Sequence, residues 1–291
     1  MTRVRVGAVS YLNARPCVVG LDRQPRFDVR LDLPARCAAL LHEGSTDLGL
    51  VPSIEYLRGS GGPGGYRIVP DVAIASFGAV ASVALYSSRP ISEVRSIALD
   101  TSSRTSVALT RVLCARAWHI DPAFEPAGPD LPAMLERCDA ALLIGDAALF
   151  LDHRRLRIKP AVAYATADTP GGPNRAADRT FESVEKIDLG ETWTKTTGLP
   201  FVYAFWAGRP GALTPDDVRA LQAARDAGVA DPEAVASDYL DDPAQRSMGA
   251  HYLRDNIKYY LGEPERAGLE TFYQYAAELG LVPAPGPLRF F

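Results

Sequence analysis

Along the first hundred residues, short apolar runs alternate with stretches of helical spacing. Val4 to Val9 reads as a strand and Asn13 to Gly20 as a short helix after it. Phe27 to Leu31 predicts a second strand, Pro34 to His42 a helix that turns Leu40 and Leu41 inward, and Asp47 to Val51 a third strand. Strands alternating with helices specify a parallel sheet covered on both faces. From Ile68 the pattern is strand-rich through Ser87. A second series follows: strand Ile97 to Asp100, helix Thr105 to Ala117, strand Ala140 to Ile144 and a short helix from Asp146 to Asp152. Asp188 to Thr196 then predicts a helix and Phe201 to Ala207 a strongly apolar strand.

Beyond Thr214 every segment reads as helix. Thr214-Pro215, Asp231-Pro232 and Asp242-Pro243 each pair a capping side chain with proline at the first helical position. The last helix begins near Pro264 and places Leu269, Phe272, Tyr273, Ala276 and Leu279 on one face, a stripe that belongs in a core. A tail without strands has no sheet of its own, so it is expected to pack back on the start of the chain. The expected architecture is α/β, in two lobes. Residues 1–86 and 201–291 form one from both chain ends, and 87–200 form the other. Two strands, near 82 to 88 and 200 to 207, cross between them, and a ligand cleft lies between the lobes.

Two segments read as surface. Gly59 to Gly65 is a flexible loop, not a phosphate loop, because no GK[ST] follows it. Residues 154–186 form a polar insertion around Gly171-Gly172-Pro173-Asn174.

Composition narrows the classes. At 291 residues, 47% of them hydrophobic, the chain is long enough for two buried cores and is neither disordered nor a disulfide-stapled miniature. A net charge of −4 argues against a broad nucleic-acid footprint. Cys17, Cys37, Cys114 and Cys138 lie far apart without ligand spacing, so they read as buried free thiols and imply neither zinc nor an iron–sulfur centre. The amino terminus has no secretory h-region, and no run approaches the roughly 18 apolar residues that span a membrane. A cytoplasmic protein without membrane contact is expected.

Four segments carry candidate chemistry, three of them at the carboxyl ends of predicted strands, where open α/β sheets bind ligands. After the first strand, Ser10, Asn13 and Arg15 offer a hydroxyl, an amide and a guanidinium; a capping asparagine with a solvated arginine explains them equally well. Thr101, Ser102, Ser103, Thr105 and Ser106 crowd five hydroxyls at a helix start, where a cap needs one, and this points to an anion site. Gly145-Asp146 holds an acid/base group, a ligand anchor or a plain helix cap. Ser82 enters the first crossing strand with no His/Asp partner motif, so it suits hydrogen bonding and not acyl-enzyme chemistry. His42, His119, His153 and His251 all fall outside these segments, and no HExxH is present. The predicted site binds an anion with no metal and no histidine base.

Taken together, Val9-Ser10-Tyr11-Leu12-Asn13-Ala14-Arg15-Pro16, Leu50-Val51-Pro52-Ser53-Ile54-Glu55-Tyr56, Ala98 to Ser106 and Leu143-Ile144-Gly145-Asp146 resemble the chorismate dehydratase family of the futalosine branch of menaquinone biosynthesis. Asp188-Leu189-Gly190-Glu191-Thr192-Trp193, Thr197 to Val202 and Phe205-Trp206-Ala207 extend the resemblance over nearly the whole chain. It implies a periplasmic-binding-protein-like fold of type II, used as a carbon–oxygen lyase. Chorismate, a small dicarboxylate, would lose water to give 3-[(1-carboxyvinyl)oxy]benzoate, with no cofactor and by a monomer or homodimer. On this reading Ser82 and Asn13 are catalytic. Ser10, Arg15, Ser53, Thr101, Ser102, Ser103, Thr105, Ser106, Gly145 and Asp146 bind substrate. A substrate carboxylate is the base, with Asp146 its rival. Three alternatives share the fold: a transporter's solute-binding protein; the related dihydroxynaphthoate-forming enzyme, which should carry a histidine in the cleft; and a ligand-sensing regulator, which should carry a helix-turn-helix segment.

Overall fold

The computed structural model describes residues 3–59, 65–156 and 184–291, so the glycine-rich loop and most of the polar insertion lie outside the described residues. β1 (Val4–Val9) leads through a 3-10 turn at Leu12–Val18 to β2 (Phe27–Asp32), α1 (Pro34–Glu43), β3 (Leu48–Pro52), the short α2 (Glu55–Gly59) and β4 (Arg67–Ser76). Next come β5 (Val83–Ser87), β6 (Ser96–Asp100), α3 (Arg104–Leu113), β7 (Ala123–Ala127), α4 (Leu131–Arg137), β8 (Ala140–Ile144), α5 (Gly145–Leu149) and β9 (Glu185–Asp188). The chain returns through α6 (Leu189–Thr197) and β10 (Phe201–Gly208) to α7 (Pro215–Ala230), α8 (Pro232–Tyr239), α9 (Pro243–His251) and α10 (Glu263–Glu278).

Among the described residues two five-stranded sheets result, ordered β2-β1-β3-β10-β4 and β7-β6-β8-β5-β9. Each has a parallel trio and one antiparallel strand that arrives from the other sheet. β1 runs parallel to β2 and β3, whereas β10 runs antiparallel to β3 and β4. β6 runs parallel to β7 and β8, whereas β5 runs antiparallel to β8 and β9. The inserted strands are apolar because they are interior: every residue of β5 and of β10 is buried.

The expected crossing strands at 82 to 88 and 200 to 207 need correction. β5 pairs only with β8 and β9 and β10 only with β3 and β4, so each belongs wholly to one sheet, and the crossings are made by residues 77–82 before β5 and by the stretch from α6 to residue 200 before β10. A boundary between 86 and 87 would cut through β5. A strand buried on both faces carries the same apolar signature in either sheet, and only its pairing register tells them apart.

Three elements of the second sheet's lobe were not anticipated. β7 contains Pro126 and pairs on one side only, with β6, which is where a strand tolerates a residue lacking an N–H. α4 is capped by Asp130, whose side chain accepts from Ala133 N–H, and has proline in its first turn. β9 is only four residues long.

The tail packs back on the first sheet's lobe as expected. At Gly228 of α7 an added Cβ would lie 2.3 Å from the Pro16 backbone, so only glycine lets the helix approach the 12–18 turn. Arg26 forks onto Asp217, with Nε and Nη2 each 2.8 Å from a carboxylate oxygen, while Asp217 also completes a capping box with Thr214. On α10, Leu269, Phe272, Tyr273 and Ala276 are fully buried, but Leu279 is 38% exposed, just past the end of the helix. The final residues form no helix, and Phe290 bridges to Ile68, so the tail is not helical throughout. Trp193 of α6 packs edge-on against Phe201 of β10 (5.2 Å) and Phe272 of α10 (6.1 Å), which ties the return crossing to the tail. All four cysteines are buried and free, and burial pushes the Cys17 thiol up to about 12.

Candidate active site

The carboxyl end of β1, the start of α3, the β8–α5 junction and the inner strand β10 converge between the two sheets. They enclose a cavity of about 40 Å³ lined by Val9, Tyr11, Asn13, Pro34, Pro52, Ile74, Val83, Ser103, Ser106, Ile144, Gly145, Tyr203 and Ala204. The walls are mostly apolar, and the polar groups are two serine hydroxyls, one amide and two phenols. Ser103 caps α3 by accepting from Ser106 N–H, and the two hydroxyl oxygens lie 3.1 Å apart. Hydroxyls and N–H groups at a helix start hold carboxylate oxygens without a full positive charge.

A second cluster stands behind this wall. Ser82 is 1% exposed, and its Oγ lies 2.6 Å from the phenolic oxygen of Tyr252. Tyr252 is itself buried and begins a π-turn (Tyr252–Asn256) at the end of α9. Burial is the largest influence on its phenol and pushes it up. Asn13 Oδ1 is buried and has no hydrogen-bond partner among the described residues, while the backbone oxygen of Asn13 accepts from Tyr259.

Ser82 is held by a strained turn. Ala81 has φ +64°, a left-handed conformation that favours glycine. The Asp188 carboxylate stabilises it by accepting from Val80 N–H (3.0 Å) and Ala81 N–H (2.7 Å), and Lys186 Nζ donates to Ala81 O at 2.9 Å. Burial pushes the Asp188 carboxyl up, against the N–H groups and Lys186 that hold it down.

The lobes are shut on one another. Tyr11 O–H donates to Ser102 Oγ (3.2 Å), Ala35 N–H to Ser102 O (3.0 Å) and Ile54 N–H to Thr105 Oγ1 (3.1 Å). Asp146 accepts from Leu12 N–H at 3.1 Å and from the Tyr239 hydroxyl. Burial pushes its carboxyl up, offset by those two bonds and by Arg15. At the seam, Glu55 is 1% exposed and meets His42, Arg58 and, from α3, Arg104 at 2.8 Å. Burial alone would raise the Glu55 carboxyl, but the His42 bond and the arginine charges bring it below its ordinary value. Gly145 completes the fit: with φ +64°, an added Cβ there would lie 2.9 Å from the Tyr11 ring.

The expected binding residues divide by position. Asn13, Ser103, Ser106 and Gly145 line the cleft, and Ser82 adjoins it through Val83. Ser102 and Asp146 join the lobes, as do Ser53 and Thr105, whose hydroxyl oxygens lie 3.4 Å apart in a buried contact. Three turn elsewhere. Thr101 is exposed beside Arg58, Arg104 and Arg111 on an outer groove. Arg15 stacks its guanidinium 4.7 Å over the Tyr239 ring and borders a separate hollow of about 410 Å³. Ser10 gives its N–H to Asp32 O at 2.9 Å and is not part of the lining. Tyr11, Tyr203, Tyr239 and Tyr252 were not anticipated as site residues. Their partners are far away in sequence, 170 positions for Tyr252 and Ser82, so no local motif marks them.

Among the described residues no group of three or more His, Cys, Asp or Glu could hold a metal ion, and no helix is long and apolar enough to cross a membrane.

Solved structures share this architecture. A protein of Archaeoglobus fulgidus matches with a TM-score of 0.66 at 16% identity, covering 96% of this chain and 98% of that one. The alkanesulfonate-binding protein SsuA of Xanthomonas axonopodis, bound to MOPS, matches with a TM-score of 0.64 at 15% identity, covering 97% and 95%. The fold is therefore that of the periplasmic binding proteins, as the resemblance implied. In sequence, the chorismate dehydratase of Thermus thermophilus is 34% identical over 93% of this chain and 98% of its own length. The family model described as menaquinone biosynthesis matches residues 4–278. The chain belongs to the menaquinone biosynthesis family.

Proposed function

We propose that this protein is a chorismate dehydratase, a hydro-lyase that converts chorismate to 3-[(1-carboxyvinyl)oxy]benzoate in the cytoplasm. The similarity to the Thermus thermophilus enzyme supports the reading. The observation that carries it is the placement of Asn13, whose buried Oδ1 has no partner among the described residues, in the wall of a cleft that ends at the hydroxyl-capped start of α3. A dicarboxylate with a hydroxyl to lose needs such a set: donors for its oxygens, and polar groups beside the leaving group.

One substrate carboxylate rests on the Ser103 and Ser106 hydroxyls and the N–H groups of the α3 start. The other, turned back over the ring, takes the ring proton beside the enol ether. The C–O bond of the neighbouring hydroxyl then breaks, its electron pair leaves with the oxygen, and the ring becomes aromatic. Ser82 and Asn13 hydrogen-bond the departing hydroxyl. Aromatisation supplies the driving force and the oxidation level does not change, so the protein contributes orientation and hydrogen bonds.

Incubating the purified protein with chorismate, and following absorbance and product mass, tests the reading. Appearance of an aromatic product one water lighter supports it. Saturable binding without turnover favours a solute-binding protein instead.

A further inference from the structure

Ser82 is a weak acid with a freely rotating hydrogen, and a hydroxyl helps a leaving group only when that hydrogen points at it. The residues around Ser82 settle its direction. Its backbone is fixed on one side by the left-handed Ala81, held by Asp188, and on the other by Gly145, whose N–H donates to Ser82 O at 2.8 Å. Its Oγ, 2.6 Å from the Tyr252 oxygen, has one close partner among the described residues. A phenol is a stronger acid than an alkyl hydroxyl, so in this 2.6 Å pair the phenol hydrogen is donated and Ser82 Oγ is its acceptor. The Ser82 hydrogen is then released from the protein network.

We propose that Tyr252 is a positioning residue for the dehydration, donating to Ser82 Oγ and thereby aiming the Ser82 hydrogen at the departing hydroxyl of the substrate. The proposal rests on the dehydratase reading above. The hydrogen bonds run in one direction, from Tyr252 to Ser82 and from Ser82 to the leaving group, and such a chain polarises each member towards the last. Burial keeps the phenol protonated throughout the working pH range, so it remains a donor. Its location fits the role. Tyr252 opens a π-turn, an arrangement frequent at functional sites, and it brings the carboxyl-terminal tail against a serine at the junction of the two lobes.

The test compares wild type, Tyr252→Phe, Ser82→Ala and the double variant in steady-state turnover of chorismate. Tyr252→Phe removes one oxygen and keeps the ring. It is expected to lower kcat about 10- to 100-fold, with KM changed less than about threefold. In the double variant, losing Tyr252 should cost nothing beyond Ser82→Ala, because the phenol acts through Ser82. A kcat retained by Tyr252→Phe, or losses that multiply in the double variant, would overturn the proposal. If Tyr252→Phe does not fold, 3-fluorotyrosine in place of Tyr252 keeps the bond: turnover near wild type supports the role, and a tenfold loss with an intact fold ends it. A wild-type protein that leaves chorismate unchanged defeats the dehydratase reading and this proposal with it. An active wild type with an active Tyr252→Phe defeats this proposal alone.

Discussion

Leu12 N–H donates to Asp146 Oδ1 at 3.1 Å, and the Tyr239 hydroxyl occupies the other oxygen, so one carboxylate from the second sheet's lobe is gripped by two elements of the first. A carboxylate engaged in this way latches the closed cleft and is poorly placed to take a proton from carbon. Asp146→Asn should therefore lower kcat/KM about tenfold, the worth of one charge-assisted hydrogen bond, mainly through KM. The acidic limb of its pH–rate profile should survive. Loss of that limb would instead identify Asp146 as the base.

Ser82→Ala and Asn13→Ala should each lower turnover of chorismate on the order of 100-fold, as deletion of a donor to a developing charge does elsewhere. Circular dichroism checks that both variants fold. Near-normal rates in both would remove these residues from the mechanism.

Gly145→Ala meets two obstacles. Its φ of +64° disfavours any side chain, and the new Cβ would sit 2.9 Å from the Tyr11 ring. The left-handed backbone alone should cost about 1–2 kcal/mol, seen as a lower urea midpoint. Adding Tyr11→Ala should recover the part due to the clash and leave the part due to the backbone. No recovery at all would show that backbone strain accounts for the whole loss.

Asp217 supplies a pH dependence of stability. The Arg26 guanidinium holds its carboxyl at about 2, below the ordinary 3.8. A carboxylate depressed in the folded state contributes stability above its unfolded value, and that contribution disappears as pH falls from 3.8 through about 2. Arg26→Met should be less stable than wild type near neutrality, and the gap should narrow over that acid interval in urea titrations. A gap independent of pH would assign the loss to packing.

Most of the fold was legible because the chain obeys the two simplest periodicities. β1, β3, β6, β8 and β10 are compact, largely apolar runs, β2 alternates apolar and charged residues, and the tail helices announce themselves through Thr214, Asp231 and Asp242, each followed by proline. β7 was obscured by Pro126, which signals a turn until an edge position excuses it. A weaker form of that signature stands before α4, where Leu131 separates Asp130 from Pro132. The site was legible only where it is local. Asn13, Ser103, Ser106 and Gly145 sit in strand-end loops that any α/β sheet turns towards a ligand. Among the hydroxyls of 101–106, Thr101 lies exposed in the turn before α3 while Thr105, in the first turn of that helix, enters the lobe contact, so the crowd of hydroxyls serves two tasks. The tyrosines were hidden because each is hydrogen-bonded to a partner supplied by the topology.

The position of β10 between β3 and β4 has a consequence for how the molecule comes into being. Among the described residues the five strands of the second sheet lie between residues 83 and 188, whereas the first sheet cannot close until residue 208 has been made. During synthesis β1 to β4 must wait, with the gap between β3 and β4 unfilled, while β5 to β9 of the later-encoded sheet have already been made. Exposed strand edges of that kind invite wrong pairing. The interval between emergence of β4 and of β10 is thus when a nascent chain is most in need of protection, and slow passage through residues 77–200 would prolong it.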